Sequence, residues 1–402
     1  MEDWKEYRLG EMIQCNPQVK LEKGKSYNLI DIDSIEIGSR YVKGKELTVY
    51  DGQSGCHFQN GDTVMARITP CLENGKIAQV QCESQKGFGS TELFVFRGIE
   101  NKTDSDYVFN LMSMQFIRNL AANSMTGASG RQRADLGFIK RIKWNFPPLP
   151  TQQKIASILS AYDNLIQNYK KQIEALQTAA SELYKEWFVR FRFPGYKNSR
   201  FENGIPEGWK IERIGNIGEV IGGGTPSTEN EEYWDGDIPW LSPVDLSDNT
   251  NVYVSRGGKN ITKLGLQKSS AKMMPKDTVL LSSRAPVGYV ALAKNPICTN
   301  QGFKSVVCNT SVIQPIYLYF YFRMNKNYLQ SIASGATFPE LSGSMMKKLK
   351  VLLPQMELQK EFSKKANIFI SKAELLSEQI TNLTQQRDLL LPRLMRGALE
   401  VH

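Results

Sequence analysis

The chain has 402 residues, 41% of them hydrophobic, and 50 Lys and Arg stand against 41 Asp and Glu, a net charge of +9. This is enough to bury real cores in two or three domains, and so thin a surplus permits nucleic-acid binding without demanding it. No apolar run approaches the roughly 20 residues of a membrane-spanning helix, Met1-Glu2-Asp3-Trp4-Lys5 carries no cationic head before an apolar stretch, and the six cysteines (Cys15, Cys56, Cys71, Cys82, Cys298, Cys308) with His57 and His402 show no metal-ligand spacing. The expectation is a cytoplasmic protein with reduced, buried thiols, no metal, no cofactor of its own and no membrane partner.

Residues 1–148 alternate short β-branched and aromatic runs with Gly, Asn, Asp and Pro, predicting strands near Gly61 to Ile68, Lys76 to Val80 and Leu93 to Arg97. A helix from Tyr107 to Asn123, a loop at Gly127 and a last strand lead to Pro147. Over 149–190, Leu159, Tyr162, Ile166, Tyr169, Ile173, Leu176, Ala180, Leu183 and Trp187 keep a three-four spacing, the seam of one long helix. Residues 191–208 are rich in Gly, Pro and Asn and read as a packed linker. The pattern then recurs: residues 209–353 predict strands near Thr278 to Ser282 and Lys304 to Val307 and a helix from Pro315 to Ala333. Residues 354–402 carry a second seam at Phe362, Ala366, Phe369, Ala373, Leu376, Ile380, Leu383 and Leu390, with Arg387 its one break, and a C-terminal tail.

The recurrence is literal in places. Trp4-Lys5-Glu6-Tyr7-Arg8-Leu9-Gly10 and Trp209-Lys210-Ile211-Glu212-Arg213-Ile214-Gly215 share W-K-x-x-R-[LI]-G; Asp62-Thr63-Val64 matches Asp277-Thr278-Val279, Tyr107 matches Tyr317, and Pro147 with Gln152 matches Pro354 with Gln359. The sequence therefore predicts an α+β protein by internal duplication. Two mixed, mainly β domains are joined by two long antiparallel coiled-coil helices under a pseudo-two-fold axis. A helix of about 38 residues is roughly 57 Å long, so it reads as a spacer, and duplex DNA carries the same dyad relation between half-sites.

No stretch of the sequence carries a specific catalytic signature. Asn145-Phe146-Pro147-Pro148-Leu149 departs from the Pro-Pro-aromatic corner of adenine methyltransferases and reads as a strand-to-helix joint, and Gly222-Gly223-Gly224 fits neither dinucleotide nor P-loop spacing. Side chains suited to base edges do occur on loops. In the first domain Arg131, Gln132 and Arg133 follow a Gly-rich turn, with Arg67 and Lys76 as second-rank candidates whose plainer reading is exposed strand ends. In the second, Thr337 lies on the matching, less charged loop; Arg284, Asn300, Gln301 and Lys304 are second-rank candidates with the same plainer reading, and Thr225 is a candidate whose plainer reading is a turn residue.

In its phrases the chain resembles the specificity subunit of type I restriction-modification systems. These phrases are Phe146-Pro147-Pro148-Leu149-Pro150 opening the first helix, Leu183-Tyr184-Lys185-Glu186-Trp187-Phe188 near its end, Gly222-Gly223-Gly224-Thr225-Pro226 with Tyr233-Trp234-Asp235-Gly236-Asp237-Ile238-Pro239-Trp240, and Leu389-Leu390-Leu391-Pro392-Arg393 at the close. The resemblance implies a non-enzymatic subunit with two target-recognition domains, each reading half of an asymmetric bipartite site in double-stranded DNA. It implies helices that set the gap and dock two methyltransferase subunits, which use S-adenosylmethionine to modify adenine N6. Whether two restriction subunits join is left open. The first domain departs from the pattern, showing Asn16-Pro17 where the second has its glycines. Tyr184, Trp187 and Phe188 have two readings, a small core or the docking surface for a modification subunit. A coiled-coil scaffold that binds proteins only and reads no DNA is the alternative.

Overall fold

The computed structural model describes residues 3–401 apart from 128–131, 248, 250, 285 and 336–338. The protein is α+β, with mixed sheets and two long helices, Leu149–Tyr184 and Met356–Met395. It divides into two compact units, Met1–Tyr169 with Gln379–His402, and Lys170–Glu378.

In the first unit the strand Lys5–Arg8 pairs antiparallel with Lys143–Phe146, closing the start of the globular part on its end. A five-stranded sheet follows in the order Ile13–Cys15, Leu93–Gly98, Thr63–Ala66, Ile77–Val80, Tyr41–Val42, antiparallel except at its last pair. Thr63–Ala66 and Ile77–Val80 are buried along their whole length, the polar Thr63 and Gln79 included. A four-stranded sheet of Leu47–Val49, Ser26–Ile30, Lys86–Gly89 and Cys56–Gln59 completes this part.

The second unit repeats the frame. Lys210–Arg213 pairs with Lys350–Leu353, and the five-stranded order is Gly218–Gly222, Lys304–Cys308, Val279–Leu281, Val290–Ala293, Tyr253–Val254, again parallel only at the last pair. The extra sheet differs, having three strands, Lys259–Ile261, Trp234–Leu241 and Cys298–Thr299.

Each long helix is fixed to its globular part by the same device. Gln152 is fully buried; its Oε1 accepts from the Asp104 N–H at 3.1 Å, and its amide donates to the carbonyls of Lys102 at 3.1 Å and Pro147 at 2.9 Å. Gln359 does the same, accepting from the Gln314 N–H at 3.0 Å and donating to Val312 at 3.4 Å and Pro354 at 2.8 Å. Within the first unit Asp163 on the first helix receives Arg387 from the second at 2.7 Å. Within the second unit Tyr184 packs edge-on against Phe362 with ring centroids 5.8 Å apart.

Three expectations are corrected in detail. The single helices expected before each unit's last strand are broken, into Ser105–Ser113 with Gln115–Asn123 and into Pro315–Met324 with Lys326–Ile332. At the breaks polar side chains take helix carbonyls: Ser113 Oγ donates to Phe109 O and Asn325 Nδ2 to Tyr321 O. The first long helix ends in a wide turn, Lys185–Val189. The linker after it folds into a short hairpin, Phe201–Glu202 with Ile205–Pro206, whose Asn203-Gly204 tip has φ of 51° and 81° at its two residues, as a tight hairpin turn demands.

One position separates the two frames. The Gln79 N–H donates to Arg40 O in the first sheet as the Leu292 N–H donates to Val252 O in the second, both at 2.7 Å, so Arg40 and Val252 hold the same place. Arg40 is fully buried and reaches Asp163 at 3.3 Å, Asp106 at 2.8 Å, Ser160 at 2.5 Å and Gln79 at 3.1 Å. Setting Gln152 on Gln359 puts Asp163 in the place of Ile370, which shares an apolar core with Val252. The same joint is ionic in one unit and apolar in the other. Asp163→Ala should cost the first unit about 3–5 kcal/mol, since two guanidinium groups lose their buried carboxylate. Adding Arg40→Met should return much of that loss in denaturant midpoints. A double variant as unstable as the single one would show that shape, not the stranded charge, sets the cost.

Candidate nucleic-acid interface

In the first unit the candidate loop is held at both ends. The Arg133 backbone bridges Thr126 and Ile68, and Gln132 exchanges hydrogen bonds with Thr69, N–H to Oγ1 at 3.2 Å and carbonyl to the Thr69 N–H at 3.1 Å. Arg131 lies outside the described residues. The Arg133 guanidinium is committed to Glu92, with contacts at 2.9, 3.0 and 2.5 Å, and these bonds hold the Glu92 carboxyl below its ordinary pKa. Arg67 lies beside this pair through its backbone, its N–H donating to Glu92 O at 3.0 Å and its carbonyl accepting from Ala134 at 2.8 Å. Its guanidinium stacks over Phe94 at 4.9 Å and makes no ion pair among the described residues. Lys76 does not join the group: Nζ donates to Ile32 O at 2.9 Å and lies 3.6 Å from Asp33, a structural use of the charge.

The second unit gathers its candidates more tightly. Thr225 Oγ1 donates to Gln301 Oε1, the Lys304 Nζ reaches Gln301 O at 3.4 Å and Glu340 at 3.2 Å, and Arg284 reaches the same Glu340 at 3.4 Å. Asn300 is turned inward, accepting from the Gly302 N–H at 2.8 Å. Thr337 lies outside the described residues, but the ends of its loop are fixed as in the first unit, since the Glu340 backbone bridges Ser334 and Arg284.

The glycine run beside Thr225 has a packing cause. The Gly224 N–H donates to Thr299 O at 2.8 Å, the Trp240 indole N–H donates to Gly224 O at 2.9 Å, and a Cβ on Gly223 would strike the carbonyls of Thr299 and Asn300. That close approach carries Thr225 to Gln301. In the first unit Asn16 instead extends the pairing of Ile13–Cys15 with Leu93–Gly98, its side chain accepting from the Val95 N–H at 2.9 Å while its own N–H donates to Val95 O at 2.7 Å.

Sequence reasoning singled out neither Glu92 nor Glu340. Each carboxylate neutralises the candidate cations beside it, and no local pattern announces a partner 41 or 36 residues away. The reading of Tyr184, Trp187 and Phe188 as a docking surface is corrected. All three are buried in the core of the second unit, against Tyr317, Phe320, Phe362 and Trp209, so they present no ring to a partner.

The family model described as the type I restriction modification DNA specificity domain matches the chain twice, at residues 1–178 and 206–385. The chain is 44% identical over 179 residues to the type I restriction enzyme MjaIX specificity subunit of Methanocaldococcus jannaschii, a match over 44% of this chain and 41% of that relative's length. It is 25% identical to the HindI specificity subunit of Haemophilus influenzae, across 99% of this chain and 100% of that one. The crystal structure of the type I restriction-modification system S subunit from M. genitalium has the same fold, with a TM-score of 0.58 at 15% identity over 97% of this chain and 96% of that one. With both halves matched by one family model, the chain belongs to the type I restriction modification DNA specificity family.

Proposed function

We propose that this chain is the sequence-reading subunit of a type I restriction-modification assembly, each globular part reading one half of an asymmetric bipartite site in double-stranded DNA. The observation that carries the reading is the pairing of flanks around the two candidate loops: Arg133 bridges Thr126 and Ile68, and Glu340 bridges Ser334 and Arg284, in units whose five-stranded sheets share one strand order. Arg67, Arg131, Gln132 and Arg133 serve one half-site, and Thr225, Arg284, Gln301, Lys304 and Thr337 serve the other, by the Arg-guanine and Gln-adenine geometry of the major groove. The two halves descend from a duplication, and the long helices form an antiparallel coiled coil that sets the gap. The contacts Asp163 to Arg387 and Tyr184 to Phe362, rising on one helix and falling on the other, support that direction.

Catalysis belongs to partners. Two methyltransferase subunits, using S-adenosylmethionine on adenine N6, dock on the helices, where Ile158, Leu165 and Leu389 in one unit and Ile368 and Leu375 in the other are exposed apolar residues. These replace the buried aromatics as the docking surface. Two restriction subunits complete the assembly when present.

Mapping methylated adenines in a genome exposed to this chain with its modification subunits tests the proposal: one bipartite motif should appear, and none should appear when the chain is left out. The carboxylates give a second test. Glu92→Gln releases Arg133 toward phosphate, so the fall of log K with log salt should steepen by about one, near the ~0.9 expected per phosphate contact, in anisotropy titrations of duplex DNA. An unchanged slope would keep Arg133 off the backbone. For the helices, four residues inserted after Thr178 add about 6 Å at ~1.5 Å per residue. The unspecified gap in the methylated motif should grow by one or two base pairs, at ~3.4 Å each, with both half-site sequences kept. A folded variant with the old gap removes the helix as its determinant.

A further inference from the structure

The first unit contains a cleft of about 520 Å³, in the size range of small-molecule sites. Its walls come from the break between Ser105–Ser113 and Gln115–Asn123 and from the last turns of the second long helix, and they include Asn110, Met114, Phe116 and Leu391 with Arg118 and Arg396. The second unit has almost no space at the corresponding position, about 10 Å³.

The repeat explains the difference side chain by side chain. Aligning Tyr107 with Tyr317 sets Asn110 against Phe320 and Ser113 against Arg323, and aligning Gln152 with Gln359 sets Leu391 against Tyr184. In the second unit Phe320 and Tyr184 stack, with centroids 5.9 Å apart, and fill the space. In the first, an amide and an aliphatic side chain stand where those two rings would be. What is missing from the cleft has the size of an aromatic group.

The cleft is also cationic. Arg118 is half-buried, and its hydrogen-bond partners among the described residues are neutral: Nε donates to Ser113 O at 3.3 Å and Nη2 to Gln115 Oε1 at 2.6 Å. Burial pulls this guanidinium below its ordinary pKa. Arg396 stacks over Phe116 at 5.4 Å and makes no ion pair among the described residues. Arg40 and Arg387 at the cleft floor are already matched by Asp163, Asp106 and Asp388, so Arg118 and Arg396 are the charges left for a ligand. A half-desolvated guanidinium with neutral partners favours an anion, and charge-assisted hydrogen bonds are the strong ones.

We infer that this cleft binds an aromatic organic anion, a ring carrying a phosphate or a carboxylate. The ring takes the space that Phe320 and Tyr184 fill in the other unit, and the anion lies between Arg118 and Arg396. The site is separate from the recognition loops and does not depend on DNA binding.

The test uses the full chain and fluorescence titration with 1-naphthyl phosphate and 1-naphthoate, beside 1-naphthol and inorganic phosphate as the separate halves. One or both aromatic anions should bind at one per chain, and which of them does so assigns the phosphate or carboxylate. Neither half alone should match them. Arg118→Gln and Arg396→Gln should each raise the dissociation constant about tenfold or more, the scale of one lost charge-assisted contact, and Arg118→Lys should recover part of the loss. Asn110→Phe, which copies the other unit, should block the ring, and the arginine variants keep the test decisive if that substitution disturbs folding. No saturable binding, binding untouched by both arginine changes, or 1-naphthol binding as tightly as its phosphate ester would each overturn the inference.

Discussion

The rest of the fold depends on how a long helix is made to leave a globular domain in one fixed direction. A chain emerging from a strand through Pro147-Pro148 has no backbone N–H on those prolines with which to tie itself back. A single buried glutamine does that work at each joint. Gln152 and Gln359 each offer one acceptor and two donors, and each uses all three on backbone groups of the incoming segment and of the connection that leads into Ser105–Ser113 or Pro315–Met324. Asparagine is one methylene too short to span these groups from the same backbone, and glutamate would bury a charge and leave two carbonyls without donors. The helix direction is therefore fixed by hydrogen-bond geometry at the joint, and apolar packing farther along the seam follows from it.

Where the first half of each long helix meets its five-stranded sheet, the two units solve one packing problem in different chemistry. Val252 with Ile370 is the cheap solution, since apolar groups need no partners. Arg40 with Asp163 carries a desolvation cost that its attraction offsets only because Gln79, Ser160, Asp106 and Arg387 satisfy the remaining donors and acceptors. The ionic version is also directional, as six side chains must arrive together. It leaves room too: the guanidinium and carboxylate need fewer bulky neighbours than an apolar core does, and the cleft above them stays open.

Much of this was legible in the sequence because the relevant signals are local or repeated. The three-four seams marked both long helices, β-branched runs marked the central strands, and W-K-x-x-R-[LI]-G with the Pro and Gln pairs marked the shared frame. Arg387, which interrupts an otherwise apolar seam, was visible as an anomaly, but its cause was not, because Asp163 is 224 residues away. The same limit hid Glu92 behind Arg133 and tied Lys76 to the Ile32 carbonyl. Helix breaks at Met114 and Asn325 escaped because both segments remain helical in periodicity on either side. The aromatic run near Trp187 misled for another reason: a cluster of rings has the same composition whether it faces a partner or a core, and only the closing of Phe362 and Tyr317 over it decides.

The carboxylates beside the candidate readers bear on how so weakly basic a chain could read DNA at all. A surface of uncompensated arginines would bind any duplex through counterion release, with little regard to sequence. Pairing Arg133 with Glu92, and Arg284 and Lys304 with Glu340, removes much of that indiscriminate attraction and holds the cations in fixed directions. If these side chains are the readers proposed above, a base edge or phosphate must compete with a carboxylate already in place, and only a partner with matching geometry offsets the exchange. Affinity lost at each half-site is recovered by joining two half-sites in one chain, because the second contact forms at the high effective concentration set by the first. On the proposed function, two individually modest readers in one chain are then sufficient, and a shared frame serves both while the extra sheets differ.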